Sequence, residues 1–218
     1  MAKKSKAIVK SSTALTGSVS KARKELVLRG LTALSKDSEE KLSKRRVITL
    51  RSSYKKLSVS EVQSMPNVSI REKDNWGFYG HSTIKHDYSL KAVSGDVVVV
   101  DNATGLMWHQ GGSDEMEWDE AKEWVEDLNS EEGYAGYQDW RLPTVDEAVS
   151  LLESSEKNGD LYIDPVFCKK QRWIWTGDKF EDEDGSEAAW GVRFGYGYVY
   201  WFYNLYNYVH VRPVRSMR

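Results

Sequence analysis

The sequence predicts an α+β domain that follows a basic N-terminal region. Residues 1–60 hold 16 Lys and Arg against 4 Asp and Glu, whereas the whole chain has 31 and 33, so the remainder is strongly acidic. All nine tryptophans lie after residue 60. From residue 88 onward the apolar pattern indicates a hairpin, then two helices, then more strands. We therefore predict two regions, residues 1–87 and residues 88–218.

The first region, residues 1–87, is predicted to be a flexible arm followed by short helices. The first 20 residues are mainly Lys, Ser, Thr and Ala, which cannot bury enough apolar surface to fold. Apolar residues at helical spacing favour a helix over Ser20–Ser35, and Asp37 would cap a second one. Ser58 and Glu61 form a capping-box pattern for a short helix that must end before Pro66.

The second region, residues 88–218, is predicted to contain both helices and strands. "YSLKAV" and "VVVVDNATGLMW" indicate two strands around a turn, and "WDEAKEWVEDLN" indicates a helix with one apolar face. Thr144, with Glu147 three residues later, predicts the start of a second helix. "QRWIWTGD" and "AAWGVRF" indicate strands that flank an acidic loop, residues 181–184. That loop is predicted to be solvated, with calcium binding as the alternative.

Composition restricts the environment in which the chain works. The single cysteine, Cys168, has no partner for an internal disulfide, which fits a reducing compartment. No apolar run approaches the roughly 18 residues of a membrane span, and the N-terminus lacks the apolar core of a signal peptide. A cytoplasmic or virion-associated location is therefore favoured.

Six of the twelve tyrosines lie within residues 196–208, where asparagines separate several of them. In a strand, Tyr196, Tyr198 and Tyr200 would share one face, and Val199 and Trp201 would occupy the other. Valine and tryptophan suit a core, so the tyrosines are expected to point outward. Tyrosine supplies stiff contact area with a polar tip, as in antibody binding sites. The stretch predicts a recognition surface, and an ordinary core face is the alternative.

Several motifs resemble the Lcl C-terminal domain family. They are "DNATGLMW", "WDEAKEWVEDLN", "GYQDWRLPTVDEAVSLL", "WIWTGD", "AWGVRFGYG" and "VRPVR", in that order, over roughly residues 88–215. The resemblance implies a C-type lectin-like fold with two helices beside a small twisted antiparallel sheet, and a binding module rather than an enzyme. The short calcium-reading motifs of sugar-binding lectins are absent. Neither a metal nor any other cofactor is therefore expected. Trp140 is expected in the core, and Arg141 is expected to pair with a carboxylate.

Some members of this family resemble the variable proteins of diversity-generating retroelements, which rewrite codons by replacing adenines copied from a template. An AAC template codon can become any NNC codon, and the residues predicted to vary are all encoded by such codons. This implies a variable segment over residues 194–210 that contacts a ligand, which we expect to be a protein. The predicted contact positions are Tyr196, Tyr198, Tyr200, Phe202, Tyr203, Asn204, Leu205, Tyr206, Asn207, Tyr208 and His210.

Two other functions remain open from the sequence. The basic N-terminal region suits contact with nucleic acid or with an acidic protein partner, although it contains no nucleic-acid-binding motif. An enzyme of the formylglycine-generating type would need a cysteine and a base. The chain offers Cys168 and four histidines, His81, His86, His109 and His210. No local motif supports that pairing, so no catalytic residue is predicted.

Overall fold

The computed structural model describes residues 47–181, 187–203 and 205–217. The chain divides into two compact units, Met1–Arg46 and Val47–Arg218. The helix predicted over Ser20–Ser35 and the one predicted over Asp37–Val47, except for Val47 itself, therefore lie outside the described residues. Residues 182–184 of the acidic loop and one predicted contact residue, Asn204, lie outside them as well.

Ten strands and three helices make up the described part of the second unit. The strands are β1 Lys56–Leu57, β2 Val68–Lys73, β3 Gly77–Ser82, β4 Tyr88–Val93, β5 Asp96–Asp101, β6 Leu106–His109, β7 Trp173–Phe180, β8 Ala189–Arg193, β9 Tyr198–Phe202 and β10 Val214–Ser216. The helices are α1 Val59–Val62, α2 Trp118–Leu128 and α3 Val145–Ser150. None of these helices is long and apolar enough to cross a membrane.

The strands form two sheets. The first has six strands in the order β1-β7-β8-β9-β3-β2, and the second has four in the order β10-β6-β5-β4. All pairings are antiparallel except that between β1 and β7. The hairpin predicted after residue 88 is confirmed as β4 and β5, but the second predicted strand, "VVVVDNATGLMW", forms two strands, β5 and β6. The two later strands are confirmed as β7 and β8. The first sheet takes strands from both sides of residue 87, where the sequence predicted a boundary.

The predicted fold class, α+β with a C-type lectin-like arrangement of two helices beside a small sheet, is wrong. Helices account for 13% of the structure and strands for 36%, so the fold is mainly β. The second predicted helix, α3, has only six residues and ends at Ser150. The described chain then contains no helix or strand until Trp173. Residues 56–82, which the sequence assigned to the basic region, contribute three strands.

Two apolar clusters form the core. The first packs α3 against both sheets and includes Trp108, Trp190 and Val199, none of which is exposed to solvent. The second packs α2 against residues that include Trp175 and Phe202. Because β8 and β9 alternate side chains between the two clusters, the first sheet is covered on both of its faces there.

Helix-capping patterns read from the sequence are confirmed. Ser58 and Glu61 form a reciprocal capping box at α1, and Thr144 and Glu147 form one at α3. Glu147 also accepts two hydrogen bonds from the guanidinium of Arg141, at 2.6 and 2.7 Å. The expected pairing of Arg141 with a carboxylate is thus confirmed, as is the expected burial of Trp140 in the core.

A buried carboxylate fixes the segment before β1. Asp178 on β7 accepts from Arg51 Nη1 and Nη2 at 2.8 and 2.6 Å, and from the backbone N–H of Lys55 at 2.7 Å. The first backbone N–H of α3, that of Val145, also donates to Asp178, at 2.7 Å. Burial by itself lowers the pKa of Arg51, but Asp178 and Asp146 outweigh it and raise that pKa above its usual range. Residues more than a hundred positions apart are thereby held together.

Candidate ligand-binding surface

The tyrosine-rich segment forms β9 and the loop that follows it. β9 lies inside the first sheet, paired with β8 on one side and β3 on the other. Tyr200 stands between two glycines, Gly191 of β8 and Gly77 of β3. A Cβ atom at Gly77 would lie only 1.9 Å from the carbonyl oxygen of Val199, so glycine is needed for this close pairing.

Side chains of β9 alternate between the two faces of the sheet. Val199 is fully buried and Trp201 is 9% exposed, both in the first cluster, which confirms that these residues face a core. On the opposite face, Tyr198, Tyr200 and Phe202 stack in a row, with ring centroids 4.9 and 4.5 Å apart. The two tyrosines are partly exposed.

A neighbouring strand extends this row. Tyr79 of β3 stacks on Tyr198 at 4.2 Å, and the guanidinium of Arg71 lies 5.7 Å from the centre of the Tyr79 ring. We call Tyr79, Tyr198, Tyr200 and Phe202 the aromatic row. It presents the ring surfaces of three tyrosines along one face of the sheet.

The remaining tyrosines of the segment are strongly exposed. They are Tyr196 at 55%, Tyr203 at 61%, Tyr206 at 72% and Tyr208 at 58%. Three of them belong to the loop after β9, and Tyr196 belongs to the turn before it. We call these four residues the tyrosine surface. Asn207 and His210 are partly exposed, whereas Phe202 and Leu205 are only 4% and 8% exposed and pack in the second cluster.

Residues outside the segment complete the surface. Trp76, at the turn between β2 and β3, is 51% exposed and stacks on Trp201 at 4.9 Å. Trp173 packs beside Phe202 at 5.8 Å, and Arg193 lies over the rings of both Trp173 and Tyr196, at 5.1 and 4.4 Å. Sequence reasoning missed these residues because strand pairing, which places them beside β9, is not visible in a single sequence.

A shallow groove of about 430 Å³ lies beside the aromatic row, and Tyr203 is the member of the tyrosine surface that lines it. Trp76, Trp173, Tyr200, Tyr203 and Asn207 contribute to its walls. It brings residues of the predicted variable segment together with tryptophans from two other parts of the chain. Stiff aromatic rings beside a polar amide can bury ligand area at low cost in conformational entropy.

The hydroxyl groups of Tyr198 and Tyr200 stay protonated at neutral pH. Burial raises the pKa of Tyr198 most, and Asp74, whose Oδ2 accepts a 2.8 Å hydrogen bond from the Tyr198 hydroxyl, raises it further. Burial raises the pKa of Tyr200 to about 12. Both phenols are therefore neutral, and they offer ring surface and hydroxyl groups rather than negative charge.

His210 lies at the edge of the surface, beside Trp173. Its Nδ1 is 3.7 Å from Glu115 Oε1, which accepts a hydrogen bond from Trp173 Nε1 at 3.2 Å. Burial lowers the pKa of His210, an effect that the charge of Glu115 partly offsets. The imidazole is thus neutral at pH 7 and adds polar character without a positive charge.

Two of the four histidines considered as bases have other roles. His86 contacts Asp101 Oδ2 through Nδ1 and the Ser150 carbonyl through Nε2, each at 2.7 Å. His109 Nδ1 accepts from the backbone N–H of Gly112 at 2.8 Å. Within the described ranges, no group of three or more His, Cys, Asp and Glu is placed to hold a metal ion. Among the acidic-loop residues considered for calcium, only Glu181 lies in those ranges.

Comparison with known proteins identifies one family. The family model for the Lcl C-terminal domain matches residues 97–215, which is more than half of the 218-residue chain. Neither the curated proteins nor the solved structures provided a match. The matched range contains β9, the loop after it and all of α2 and α3. This chain belongs to the Lcl C-terminal domain family.

Proposed function

We propose that the protein binds a ligand, most simply another protein, through the tyrosine surface and the adjoining aromatic row. The supporting observation is the contrast in exposure within one short segment. Four tyrosines between residues 196 and 208 are each more than half exposed, while Val199, Val209 and Val211 are fully buried. Large exposed aromatic groups gathered in one segment are typical of interaction sites.

We further propose that a diversity-generating retroelement varies segment 194–210. Exposed positions tolerate changes of side chain because few packing contacts depend on them. The loop tyrosines are each more than half exposed, and the buried valines would hold the backbone in place between them. Every position predicted to vary carries a residue that an AAC-derived codon can encode. On this proposal, variation concentrates at the exposed positions, and Phe202 and Leu205 change mainly to other apolar residues.

Deep sequencing of the gene in a population that carries it tests the diversification. We expect changes confined to codons 196–210, each explained by an adenine replaced in a nearby near-copy of the segment. The codons for Asp139–Pro143 are the internal control, since Trp140 and Leu142 are buried. If codons 196–210 are as uniform as the control codons, the diversification proposal is refuted, and the binding proposal stands or falls separately.

Selection of binding peptides tests the surface itself. A phage-displayed library of random peptides is panned on the full chain, and the recovered peptides are titrated against a triple variant, Tyr203→Ser, Tyr206→Ser and Tyr208→Ser. We expect affinity to fall at least about tenfold, since one hot-spot tyrosine among the three would cost about 2 kcal/mol or more when truncated. Leu90→Ser is the matched control, because Leu90 is 57% exposed on β4 of the second sheet. Peptides that bind the triple variant as tightly as the original chain would refute the proposed site.

A further inference from the structure

A second recess lies between α2, the segment Trp140–Leu142 and β7. Its volume is about 260 Å³, and it shares no lining residue with the groove beside the tyrosine surface. Trp118 and Val125 of α2 form one wall, and Trp140 and Leu142 form another. We propose that this cavity binds a small, neutral aromatic molecule of one or two fused rings, such as a phenol or an indole.

Hydrogen-bonding groups in the walls are already satisfied by the protein. Trp118 Nε1 donates to a backbone carbonyl of β7 at 2.8 Å. The side chain of Asn129 exchanges two hydrogen bonds of 2.8 Å with the backbone of Trp140. The Tyr54 hydroxyl donates to the carbonyl of Leu142 at 3.0 Å. The surface that remains for a ligand is therefore ring and aliphatic carbon, which favours an apolar occupant.

Two of the three charged side chains that line the cavity, Lys122 and Arg141, are paired with carboxylates, and the third, Glu126, is exposed to solvent. Lys122 Nζ lies 2.6 Å from Asp119 and 4.2 Å from the centre of the Trp118 ring. Arg141 is held by Glu147, again at 2.6 Å. A charged ligand would have to leave water for an apolar interior whose cations are already paired, and its lost hydration would not be recovered. This balance of charge favours a neutral ligand.

Size and shape limit the ligand to a small ring system. An apolar cavity of about 150 Å³ is enough to hold benzene, so about 260 Å³ leaves room for one larger ring system. Tyr54 closes one side by lying against Gly177, where a Cβ atom would be 2.2 Å from its ring. Burial raises the pKa of Tyr54 to about 12, so this wall is also uncharged at neutral pH.

Fluorine NMR on the full chain tests the proposal with three probes of one ring system. They are 5-fluoroindole, which is neutral, 5-fluoroindole-3-acetate, an anion, and 5-fluorotryptamine, a cation. We expect the fluorine signal of 5-fluoroindole to broaden saturably as protein is added. The two charged probes are expected to bind more weakly than 5-fluoroindole or not at all. No saturable broadening by 5-fluoroindole, or tighter binding of either charged probe, would overturn the proposal.

Matched variants of α2 locate the binding. Glu126 lines the cavity mouth and Glu123 does not, and both are exposed, so Glu126→Phe blocks the entrance while Glu123→Phe serves as its control. Val125→Phe fills the interior of the cavity. Its binding of 5-fluoroindole is interpreted only if its thermal unfolding is cooperative, which shows that the variant is folded. We expect Glu126→Phe to weaken 5-fluoroindole binding at least about tenfold, because its ring occupies the entrance. Equal binding by the Glu126 and Glu123 variants would place the probe elsewhere and overturn the proposal.

Discussion

Neutral His109 is expected to make the fold sensitive to acid. Its ring stacks on Tyr134 with centroids 4.0 Å apart, and its Nδ1 accepts the hydrogen bond from Gly112. Burial lowers the pKa of His109 to about 4, and the positive charge of Arg212 adds to that effect, while Asp96 opposes it. The native state therefore excludes a proton that the unfolded chain binds.

The magnitude follows from the two pKa values. His109 has an ordinary value of 6.5 and a folded value of about 4, and one pH unit corresponds to about 1.4 kcal/mol. Between pH 6.5 and pH 4 the unfolded state binds more protons at this site than the folded state, so stability falls as the pH falls. The contribution is complete above pH 6.5, and we expect about 3 kcal/mol of it to be lost by pH 4.

Urea unfolding followed by tryptophan fluorescence measures this loss. The comparison is between the original chain and His109→Asn, because asparagine Oδ1 can accept from Gly112 N–H but does not titrate. Between pH 7.5 and pH 4 the free energy of unfolding of the original chain should fall by about 3 kcal/mol more than that of the variant. Titration of the carboxylates affects both proteins alike and cancels in this difference. Equal losses would show that His109 does not exclude a proton, and the reasoning from its burial would be wrong.

The remaining predictions concern β9 and its neighbours. Gly77→Ala should lower the free energy of unfolding by about 3 kcal/mol in urea titrations, because its Cβ would collide with the carbonyl of Val199. Gly111→Ala, whose Cβ would meet no atom closer than 3.7 Å, should change it by less than about 0.5 kcal/mol, and equal effects would contradict this account. Phe202→Ala should cost about 3–5 kcal/mol in thermal unfolding, whereas Tyr206→Ala should cost less than about 0.5 kcal/mol. Similar melting temperatures for those last two variants would refute the assignment of one to the core and the other to the surface.

Local patterns in the sequence predicted local structure well. The capping boxes at Ser58 and Thr144, helix α2, and the inward direction of Val199 and Trp201 all follow from interactions within a few residues. Spacing and alternation report such short-range geometry directly. The same alternation placed Tyr198 and Tyr200 opposite Val199, but their face is only partly exposed, because Phe202 and Tyr200 pack against the second cluster.

Long-range pairing explains what the sequence did not predict. Nothing local indicates that β3 pairs with β9, or that the buried carboxylate of Asp178 holds Arg51. The wrong fold class has the same origin, since β1 pairs with β7 and β3 pairs with β9, far along the chain. Burial of Leu205 was missed because the loop after β9 turns back toward α2, where the backbone N–H of Trp118 donates to the Leu205 carbonyl at 3.1 Å.

The pairing of β9 with β3 also bears on how the family segment can be isolated. A fragment cut to residues 97–215 would lack β2 and β3, and β9 would become an open edge with unpaired N–H and C=O groups. It would also lose Arg51, leaving Asp178 buried without its cation. Exposed edge strands recruit strands from other molecules, so such a fragment is expected to aggregate. The smallest piece suited to expression on its own therefore begins near Val47, about fifty residues before the family match.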